Sequence, residues 1–226
     1  MRKIIKIIKN PKIFFNYFKY RLAWLFSSNI LNSGERYDPD VSKRFALYDP
    51  TQEGRYNFAL NFINAHDSVI DLACGTGYGS KILGNAAQKV IGYDLSKDAI
   101  NYGQKKYSND IVSFCEADFF NVKETADVVV SFETAEHINE SMEKILEKLA
   151  SLAKNKLIVS VPYKEEKGRN KYHLHSNLSE EDFSTLKKIG TVELYYQDFD
   201  GNIFYDKSMA KKLVINIIAV LKKNDS

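Results

Sequence analysis

The sequence has 226 residues, of which 44% are hydrophobic, 13% aromatic and 27% charged. This length suits one globular domain, and the apolar fraction excludes a disordered or collagen-like chain. The net charge of +3 is uneven, because residues 1–30 hold seven basic side chains and no acidic one, which leaves 25 basic against 29 acidic groups, or −4, for the rest. A mildly acidic body argues against a broad nucleic-acid-binding face, so no nucleic-acid partner is expected.

The amino-terminal segment, residues 1–30, sets pairs of isoleucines between lysines at near-helical spacing and then adds several aromatic side chains. The pattern predicts one or two basic amphipathic helices broken near Pro11. Two interpretations stay open, because such a stripe suits peripheral contact with an anionic membrane and equally suits packing on the domain or self-association. We therefore divide the chain into this segment and a domain over residues 31–226.

Two cysteines, Cys74 and Cys115, form no Cys-x-x-Cys pair, which excludes a disulfide framework and a zinc knuckle. Both are interpreted as small packing residues. No stretch approaches the roughly 20 apolar residues of a membrane span, and lysines interrupt the first apolar run too often for a secretory signal. The sequence predicts a cytoplasmic protein, at the inner face of the membrane if residues 1–30 bind lipid.

From residue 69 onward, short apolar runs alternate with helix-like stretches, which is typical of a parallel sheet with crossover helices. The predicted strands are Ser68–Ala73, Lys89–Asp94, Ile111–Glu116, Ala126–Phe132 and Lys156–Val161. Helices are predicted over Ser96–Lys106, which Ser96 can cap, and over Ser141–Ala153, whose apolar side chains share one face. A polar loop follows to about Leu178.

The end of the chain is predicted to add a short helix and two strands. A Ser-Glu-Glu-Asp run from Ser179 is a helix-start signature. The two β-like runs after it, Thr191–Gln197 and Leu213–Leu221, need no helix between them and can pair antiparallel.

A glycine-rich turn follows the first predicted strand, in the segment VIDLACGTGYGS that begins at Val69. Glycines let the backbone turn tightly and approach a ligand. A dinucleotide would prefer Gly-x-Gly-x-x-Gly, but Ser80 stands where the last glycine should fall. Asp94 ends the second strand and can accept hydrogen bonds from both hydroxyls of a ribose. Asp71 would repel a pyrophosphate and favour a ligand bearing an ammonium and a sulfonium, which is the chemistry of S-adenosylmethionine.

These motifs resemble those of class I S-adenosylmethionine-dependent methyltransferases over roughly Asn32 to Lys222. The matching segments are DLACGTG from Asp71, the acid Asp94, EADF from Glu116 and DVVVSFETAEHI from Asp127. The resemblance implies an α/β, Rossmann-like, seven-stranded sheet, mostly parallel with a carboxyl-terminal antiparallel hairpin and helices on both faces. It also implies that S-adenosyl-L-methionine is the cofactor.

The same resemblance assigns roles in cofactor binding. Gly75 and Gly77 would line the methionine part, Asp94 would hold the ribose, and Asp118 with Phe119 would contact the adenine. The full set assigned to the cofactor is Arg36, Tyr37, Asp71, Ala73, Gly75, Gly77, Tyr78, Asp94, Leu95, Asp118, Phe119 and Glu133.

A narrower resemblance is to methyltransferases encoded among bacterial surface-polysaccharide genes. Its residues are GERY from Gly34, Arg55 with Tyr56, the YHLH run from Tyr172 and the Ser-Glu-Glu run from Ser179. This subgroup acts mostly on sugars or sugar nucleotides, which implies O-methylation of a small carbohydrate acceptor. Arg36, Tyr37, Arg55 and Tyr56 would shape the cofactor or acceptor pocket, with a surface ion pair as the alternative for the two arginines.

Three candidate catalytic residues, Glu133, Glu136 and His137, follow the fourth strand. If a helical turn begins at Glu133, all three side chains can converge on one point. An alcohol attacks a sulfonium methyl poorly at neutral pH, so it needs a general base such as His137 or a divalent cation.

The arrangement resembles the metal site of small-RNA 2′-O-methyltransferases, in which two glutamates and two histidines hold the ion. That resemblance implies Glu133, Glu136, His137 and His173 as ligands, with His175 as the alternative to His173. Carboxylate and imidazole ligands suit Mg²⁺ or Mn²⁺ better than zinc. An unaided base and a metal-assisted site both stay open.

The sequence therefore predicts an enzyme, an S-adenosylmethionine-dependent O-methyltransferase acting on a carbohydrate or sugar-nucleotide hydroxyl in polysaccharide biosynthesis. Two alternatives remain, which are methylation of another hydroxylated acceptor, such as a quinone precursor or an RNA end, and a non-catalytic cofactor-binding module.

Overall fold

The computed structural model describes residues 37–44 and 49–224. Backbone proximity divides the chain into two compact units, Met1–Asp49 and Pro50–Ser226. In the described part of the first unit, helix α1 spans Pro39–Arg44, and the Tyr37 hydroxyl accepts a hydrogen bond from the Asp49 amide at 3.1 Å. The predicted amphipathic helices of residues 1–30 lie outside the described residues, and the predicted domain division stays a prediction.

The second unit alternates strands and helices in the predicted order. Its strands are β1 Ser68–Leu72, β2 Lys89–Asp94, β3 Val112–Glu116, β4 Ala126–Phe132, β5 Ala153–Pro162, β6 Gly190–Asp198, β7 Ile203–Phe204 and β8 Val214–Lys223. Its α-helices are α2 Pro50–Ala59, α3 Tyr78–Leu83, α4 Lys97–Tyr107 and α5 Met142–Leu152. Short 3₁₀-helices span Leu60–Phe62, Phe119–Asn121, Ala135–His137, Glu180–Lys188 and Lys207–Met209.

All eight strands form one sheet in the order β3-β2-β1-β4-β5-β8-β6-β7. Strands β1 to β5 run parallel, whereas β8 inserts antiparallel between β5 and β6. The fold is the predicted α/β, Rossmann-like sheet with an antiparallel carboxyl-terminal pair. Within the described residues the sheet has eight strands rather than the predicted seven, because residues 203–204 form a short extra strand that pairs with the end of β6.

Side chains from both faces of the sheet build the core. Val129 in β4 packs with the apolar face of α5, which includes Ile145 and Leu149. Its neighbours Val128 and Val130 are fully buried on the opposite face, because successive strand residues alternate. Each such side chain contributes about 1.5–3 kcal/mol by leaving water, so the burial of β4 on both faces of the sheet stabilises the fold.

The predicted helix starts are confirmed by their caps. The Ser96 hydroxyl accepts from the Ala99 amide, and the Ser141 hydroxyl accepts from the Lys144 amide. Ser179 caps the predicted short helix through a capping box with Asp182, although that segment forms a 3₁₀-helix. Caps of this kind are worth about 1 kcal/mol each.

The strand order reverses direction between β1 and β4. From β1 the chain moves outward to β2 and β3, and β4 then returns to the other side of β1. A crevice opens at the carboxyl ends of strands where such a reversal occurs, and ligands of open α/β sheets bind there.

Among the described residues, no helix has the length and apolar character that a membrane span requires.

Candidate active site

A cavity of about 480 Å³ lies at the carboxyl ends of β1, β2 and β4. Its volume falls in the range of small-molecule sites. Six of the residues predicted to bind cofactor or catalyse line it: Ala73, Asp94, Leu95, Asp118, Phe119 and His137. The sequence therefore located this crevice, although its full lining required the structure.

The glycine turn leaves β1 in a left-handed backbone conformation. Gly75 has φ +56° and Gly77 has φ +87°, values that L side chains rarely adopt. A Cβ on Gly77 would lie 2.5 Å from the Phe114 ring, whereas a Cβ on Gly75 would meet nothing within 4 Å. Gly77 is thus required for packing, and Gly75 leaves open space beside the backbone.

Asp94 links the turn to the end of β2. One carboxylate oxygen accepts from the Gly75 amide at 2.9 Å, and the other accepts from the Ser96 amide at 2.8 Å. The half-buried carboxylate lines the cavity in an orientation that two backbone amides fix.

The far wall of the cavity combines a carboxylate with apolar surface. Asp118 is exposed and accepts from the Phe120 amide at 2.9 Å through one oxygen. Leu95 is 68% exposed although it is a large apolar residue, and Phe119 packs edge-to-face on Phe120 with ring centroids 5.1 Å apart. Such a wall suits a flat apolar ring that carries a hydrogen-bond donor.

Asp71 does not line the cavity. It is fully buried, and its carboxylate accepts from the Ser80 hydroxyl at 2.7 Å and from the Tyr56 hydroxyl at 3.4 Å. Burial raises the pKa of this carboxyl to about 7, although the hydrogen bonds from Ser80 and Tyr56 lower the pKa in part. Asp71 therefore anchors the turn from beneath, through α3 and α2.

Tyr78 is not among the residues that line the cavity. It is buried at the start of α3, and its hydroxyl lies 3.4 Å from the side-chain oxygen of Gln52. Gln52 in turn accepts a hydrogen bond from the guanidinium of Arg55 at 3.1 Å, and Arg55 also donates to Gln197 at 3.0 Å. Arg55 is 2% exposed, so the surface ion pair considered for it is wrong.

Glu133 has φ +50°, so no helical turn begins there. Its amide donates to the Ser160 carbonyl at 3.1 Å, and its carboxylate accepts from the Ser160 hydroxyl at 2.7 Å. The following 3₁₀-helix begins only at Ala135. The spacing argument for convergence of Glu133 with Glu136 and His137 therefore does not apply.

A different trio converges instead. Glu136, His137 and His173 each bring one ligand atom to within 4.8 Å of the others. Glu136 is fully buried, and His137 and His173 are half-buried. A buried carboxylate beside two imidazoles is a donor set that suits a divalent metal ion.

Hydrogen bonds fix the ring of each histidine in this trio. His137 Nδ1 lies 3.2 Å from the Tyr172 carbonyl, which can only accept, so Nδ1 carries the proton. His173 Nδ1 contacts the Glu165 carboxylate, and its Nε2 accepts from the Asn170 amide at 2.9 Å. Both rings thus carry a proton on Nδ1, and His173 accepts through Nε2.

His175 has a structural contact. Its Nε2 donates to the Ile138 carbonyl at 3.0 Å, and its amide and that of Leu174 donate to the Glu136 carbonyl. These bonds fasten the loop after β5 to the 3₁₀-helix that carries His137. Of the two histidines that the sequence left as alternatives, the structure brings His173 to the trio.

Comparison with known proteins decides the family. A family model described as a methyltransferase domain matches residues 63–215, about two thirds of the chain. The chain belongs to this family. None of the curated proteins matches the chain at the level of sequence.

Solved structures with similar folds agree with the methyltransferase assignment. The N-methyltransferase NodS from Bradyrhizobium japonicum WM9, in complex with S-adenosyl-L-homocysteine, superposes with a TM-score of 0.59 at 14% identity, covering 78% of this chain and 89% of that one. A TehB-like SAM-dependent methyltransferase from Corynebacterium glutamicum ATCC 13032 Kitasato gives 0.55 at 17% identity, covering 76% and 88%. The [4+2]-cyclase SpnF gives 0.58 at 14% identity, covering 76% and 81%. At these identities the likeness shows the fold of S-adenosylmethionine-dependent methyltransferases.

The methyltransferase is therefore an enzyme, and its residues fit the cofactor of its fold family. The cavity joins a fixed carboxylate, Asp94, to an exposed apolar wall at Leu95 and a carboxylate at Asp118. Ribose hydroxyls, an adenine face and an adenine amino group are the chemical complements of those three features.

Several lining residues of the methyltransferase were not foreseen. They are Leu72, Tyr93, Ala117, Phe120, Thr134, Ile138, Asn139 and Glu140. Each lies within a few positions of a predicted site residue, so its closeness in sequence to a motif was the feature from which it could have been predicted. Among the predicted residues, Arg36 lies outside the described residues, and Tyr37 belongs to the first unit.

Proposed function

We propose that the protein is an S-adenosylmethionine-dependent O-methyltransferase that methylates a hydroxyl of a carbohydrate or sugar nucleotide in surface-polysaccharide biosynthesis, with metal assistance. The observation that carries the proposal is the position of His137, which lines the cofactor-sized cavity and also belongs to the Glu136, His137 and His173 trio. One side chain thus joins the donor crevice to a group that can activate an oxygen.

The donor end of the site is assigned to residues of the cavity. S-adenosylmethionine, when bound, supplies a methyl group on a cationic sulfur. Asp94 would accept from the ribose hydroxyls, because its oxygens are held by the Gly75 and Ser96 amides and need no reorganisation. Asp118 would accept from the adenine amino group, and Leu95 would lose its exposure against the ring.

The acceptor end requires a group that makes a hydroxyl nucleophilic. His137, which in its neutral form with the proton on Nδ1 has its lone pair on Nε2, could act alone as a general base. The second imidazole with the same protonation, on His173, favours the metal alternative, because ligating histidines donate their other ring N–H to a carbonyl or carboxylate. Glu136, His137 and His173 would hold the ion, which supplies Lewis acidity that lowers the pKa of a hydroxyl.

The ligand set affects which ion is expected. Two imidazoles and one carboxylate are a softer set than the two glutamates and two histidines implied by resemblance. Mn²⁺ accepts both ligand types, so we propose Mn²⁺ rather than Mg²⁺. Zn²⁺, which also binds two histidines and a glutamate in enzymes, is the competitor to include in tests.

The acceptor class rests on the sequence. The polysaccharide-cluster resemblance implies a sugar. The acidic balance of residues 31–226 opposes an RNA acceptor, because binding a chain of many phosphates requires a strongly basic surface. A hydroxyl acceptor also explains why the site needs an activating trio, since a neutral amine attacks without one.

The decisive experiment supplies S-adenosylmethionine and Mn²⁺ with a panel of sugar nucleotides, each hydroxyl sugar matched by its amino-sugar counterpart. We expect release of S-adenosylhomocysteine and a 14-Da gain located on oxygen by mass spectrometry. His137→Ala should remove turnover while leaving S-adenosylhomocysteine binding intact, and His66→Ala, a change at an exposed histidine, should leave both unchanged. Methylation of the amino sugars alone, or of RNA ends, would reject the proposed acceptor.

A further inference from the structure

The loop between β5 and the 3₁₀-helix Glu180–Lys188 contains a glutamate, Glu165, that neither lines the cavity nor belongs to the trio of Glu136, His137 and His173. Glu165 has a side chain 17% exposed, and its carboxylate contacts Nδ1 of His173, whose side chain is 10% exposed. The Glu165 carbonyl also accepts from the Asn177 amide at 2.8 Å, which closes the loop on itself. A carboxylate so enclosed has a defined orientation toward the imidazole.

A chain of three hydrogen bonds determines the protonation of His173. The Tyr172 amide donates to Oδ1 of Asn170 at 3.0 Å, which leaves the Asn170 amide nitrogen to face the imidazole. That nitrogen donates to His173 Nε2 at 2.9 Å, so Nε2 is a hydrogen-bond acceptor. The proton of the ring is then on Nδ1, which donates a hydrogen bond to the Glu165 carboxylate. The donor and acceptor assignments are consistent at every step, and one tautomer of His173 satisfies them all.

The same chain extends to the second histidine. The Tyr172 carbonyl accepts from Nδ1 of His137, and the two imidazole rings meet edge-to-face with centroids 4.8 Å apart. Contacts with one short segment of the loop, residues 165–172, thus place a proton on Nδ1 of both His137 and His173.

We infer that Glu165 is a positioning residue for a divalent metal ion, holding His173 in the Nδ1–H tautomer so that Nε2 can ligate the ion together with Glu136 and His137. This inference rests on the metal-assisted part of the proposed function. Glu165 does not touch the ion or the substrate. It acts through His173, as outer carboxylates do for ligating histidines. Asn170 would have to release Nε2 of His173 for an ion to bind there.

The test compares Glu165→Gln with Glu166→Gln. Both remove one negative charge from adjacent positions, but Glu166 is exposed and belongs to no part of the histidine network. Mn²⁺ is titrated into the full-length protein, and electron paramagnetic resonance reports the free ion. We expect one site in the wild type, binding weakened about 10- to 100-fold in E165Q, and unchanged affinity in E166Q.

Two further measurements separate positioning from folding. Nitrogen-15 NMR of the imidazoles should show His173 as the Nδ1–H tautomer in the wild type and a mixture in E165Q. Thermal unfolding and S-adenosylhomocysteine affinity should be the same in both variants. If E165Q does not fold, E165D keeps the carboxylate on a shorter arm and should bind Mn²⁺ less tightly than E166Q.

The inference and the proposed function fail separately. Wild-type protein that transfers methyl groups but binds no Mn²⁺, or variants at Glu165 that bind it as tightly as the wild type, would overturn the role of Glu165. Wild-type protein that binds Mn²⁺ with the expected dependence on Glu165, yet shows no methyl transfer to any hydroxyl, would overturn the proposed function alone.

Discussion

The carboxylate of Asp94 accepts a hydrogen bond from the amide of Gly75 at 2.9 Å, nineteen positions earlier in the chain. Parallel pairing of β1 with β2 creates this contact, because Leu72 is in register with Tyr93 and the Cys74 amide donates to the Tyr93 carbonyl at 2.9 Å. The glycine turn and the acidic strand end are therefore one structural unit. Removal of the carboxylate would disturb both sides of the donor crevice.

Asp94→Ala is expected to weaken S-adenosylhomocysteine binding by at least about 100-fold, since it removes charge-assisted hydrogen bonds to the ligand and the anchor of the turn. Isothermal titration calorimetry measures the loss. Asp98→Ala, a change at an exposed carboxylate in the first turn of α4, is the matched control and should bind as the wild type does. Tight binding by the Asp94 variant would refute its assignment to the ribose.

His173→Ala should remove Mn²⁺ binding, whereas His175→Ala should reduce it only slightly. The first change deletes a proposed ligand, and the second deletes a hydrogen bond to the Ile138 carbonyl that fastens the same loop. A loss of one such neutral bond is worth about 1 kcal/mol, or about fivefold in affinity. Mn²⁺ titration measures both affinities. Equal losses of Mn²⁺ affinity in the two variants would mean that the position of the loop, and not ligation by His173, determines Mn²⁺ binding.

Asp71→Asn should change how stability depends on pH. Burial raises the pKa of Asp71 from 3.8 to about 7, so the folded protein holds a proton that the unfolded chain releases between these values. Wild-type stability from this group is present below about pH 4 and is lost as the pH rises to about 7. Asparagine does not titrate and still pairs with Ser80 and Tyr56.

Urea unfolding at several pH values measures this effect. The stability of D71N relative to the wild type should rise between pH 4 and 7, by up to about 4 kcal/mol, and then stay level. Asp98→Asn serves as the control and should run parallel to the wild type. A constant difference across this range would contradict the proton uptake assigned to Asp71.

The two cysteines should differ in reactivity by on the order of 100-fold. Cys115 is exposed on the edge strand β3, whereas Cys74 is 3% exposed. Burial, with the nearby carboxylates of Asp71 and Asp94, raises the pKa of the Cys74 thiol well above its ordinary value. A thiol-specific disulfide reagent should label the Cys115 thiol quickly in the native protein and both thiols in urea. Cys115→Ser should abolish the fast labelling phase. The prediction that Cys115 packs internally is wrong.

The sequence predicted the sheet closely because its strands are local apolar runs. The ends of β2 and β4 match the predicted ranges residue for residue, and Ser96 and Ser141 cap helices as predicted. Strand β7 was missed, because two residues have no periodicity and pair only when the chain returns along β6. Strand β5 begins earlier than predicted, at Ala153, since pairing with β4 extends it beyond its apolar run.

The sequence by itself determined the doubly wound sheet, the tight glycine turn and the acid at the end of β2, because each depends on residues adjacent in the chain. Only the tertiary structure decided that Asp71 lies beneath the turn and that His173 joins Glu136 and His137. Those outcomes depend on contacts between distant segments, such as the bond from His137 to Tyr172, thirty-five positions away. Local pattern carries no information about such contacts, since they form when the loop after β5 folds back over the carboxyl end of β4.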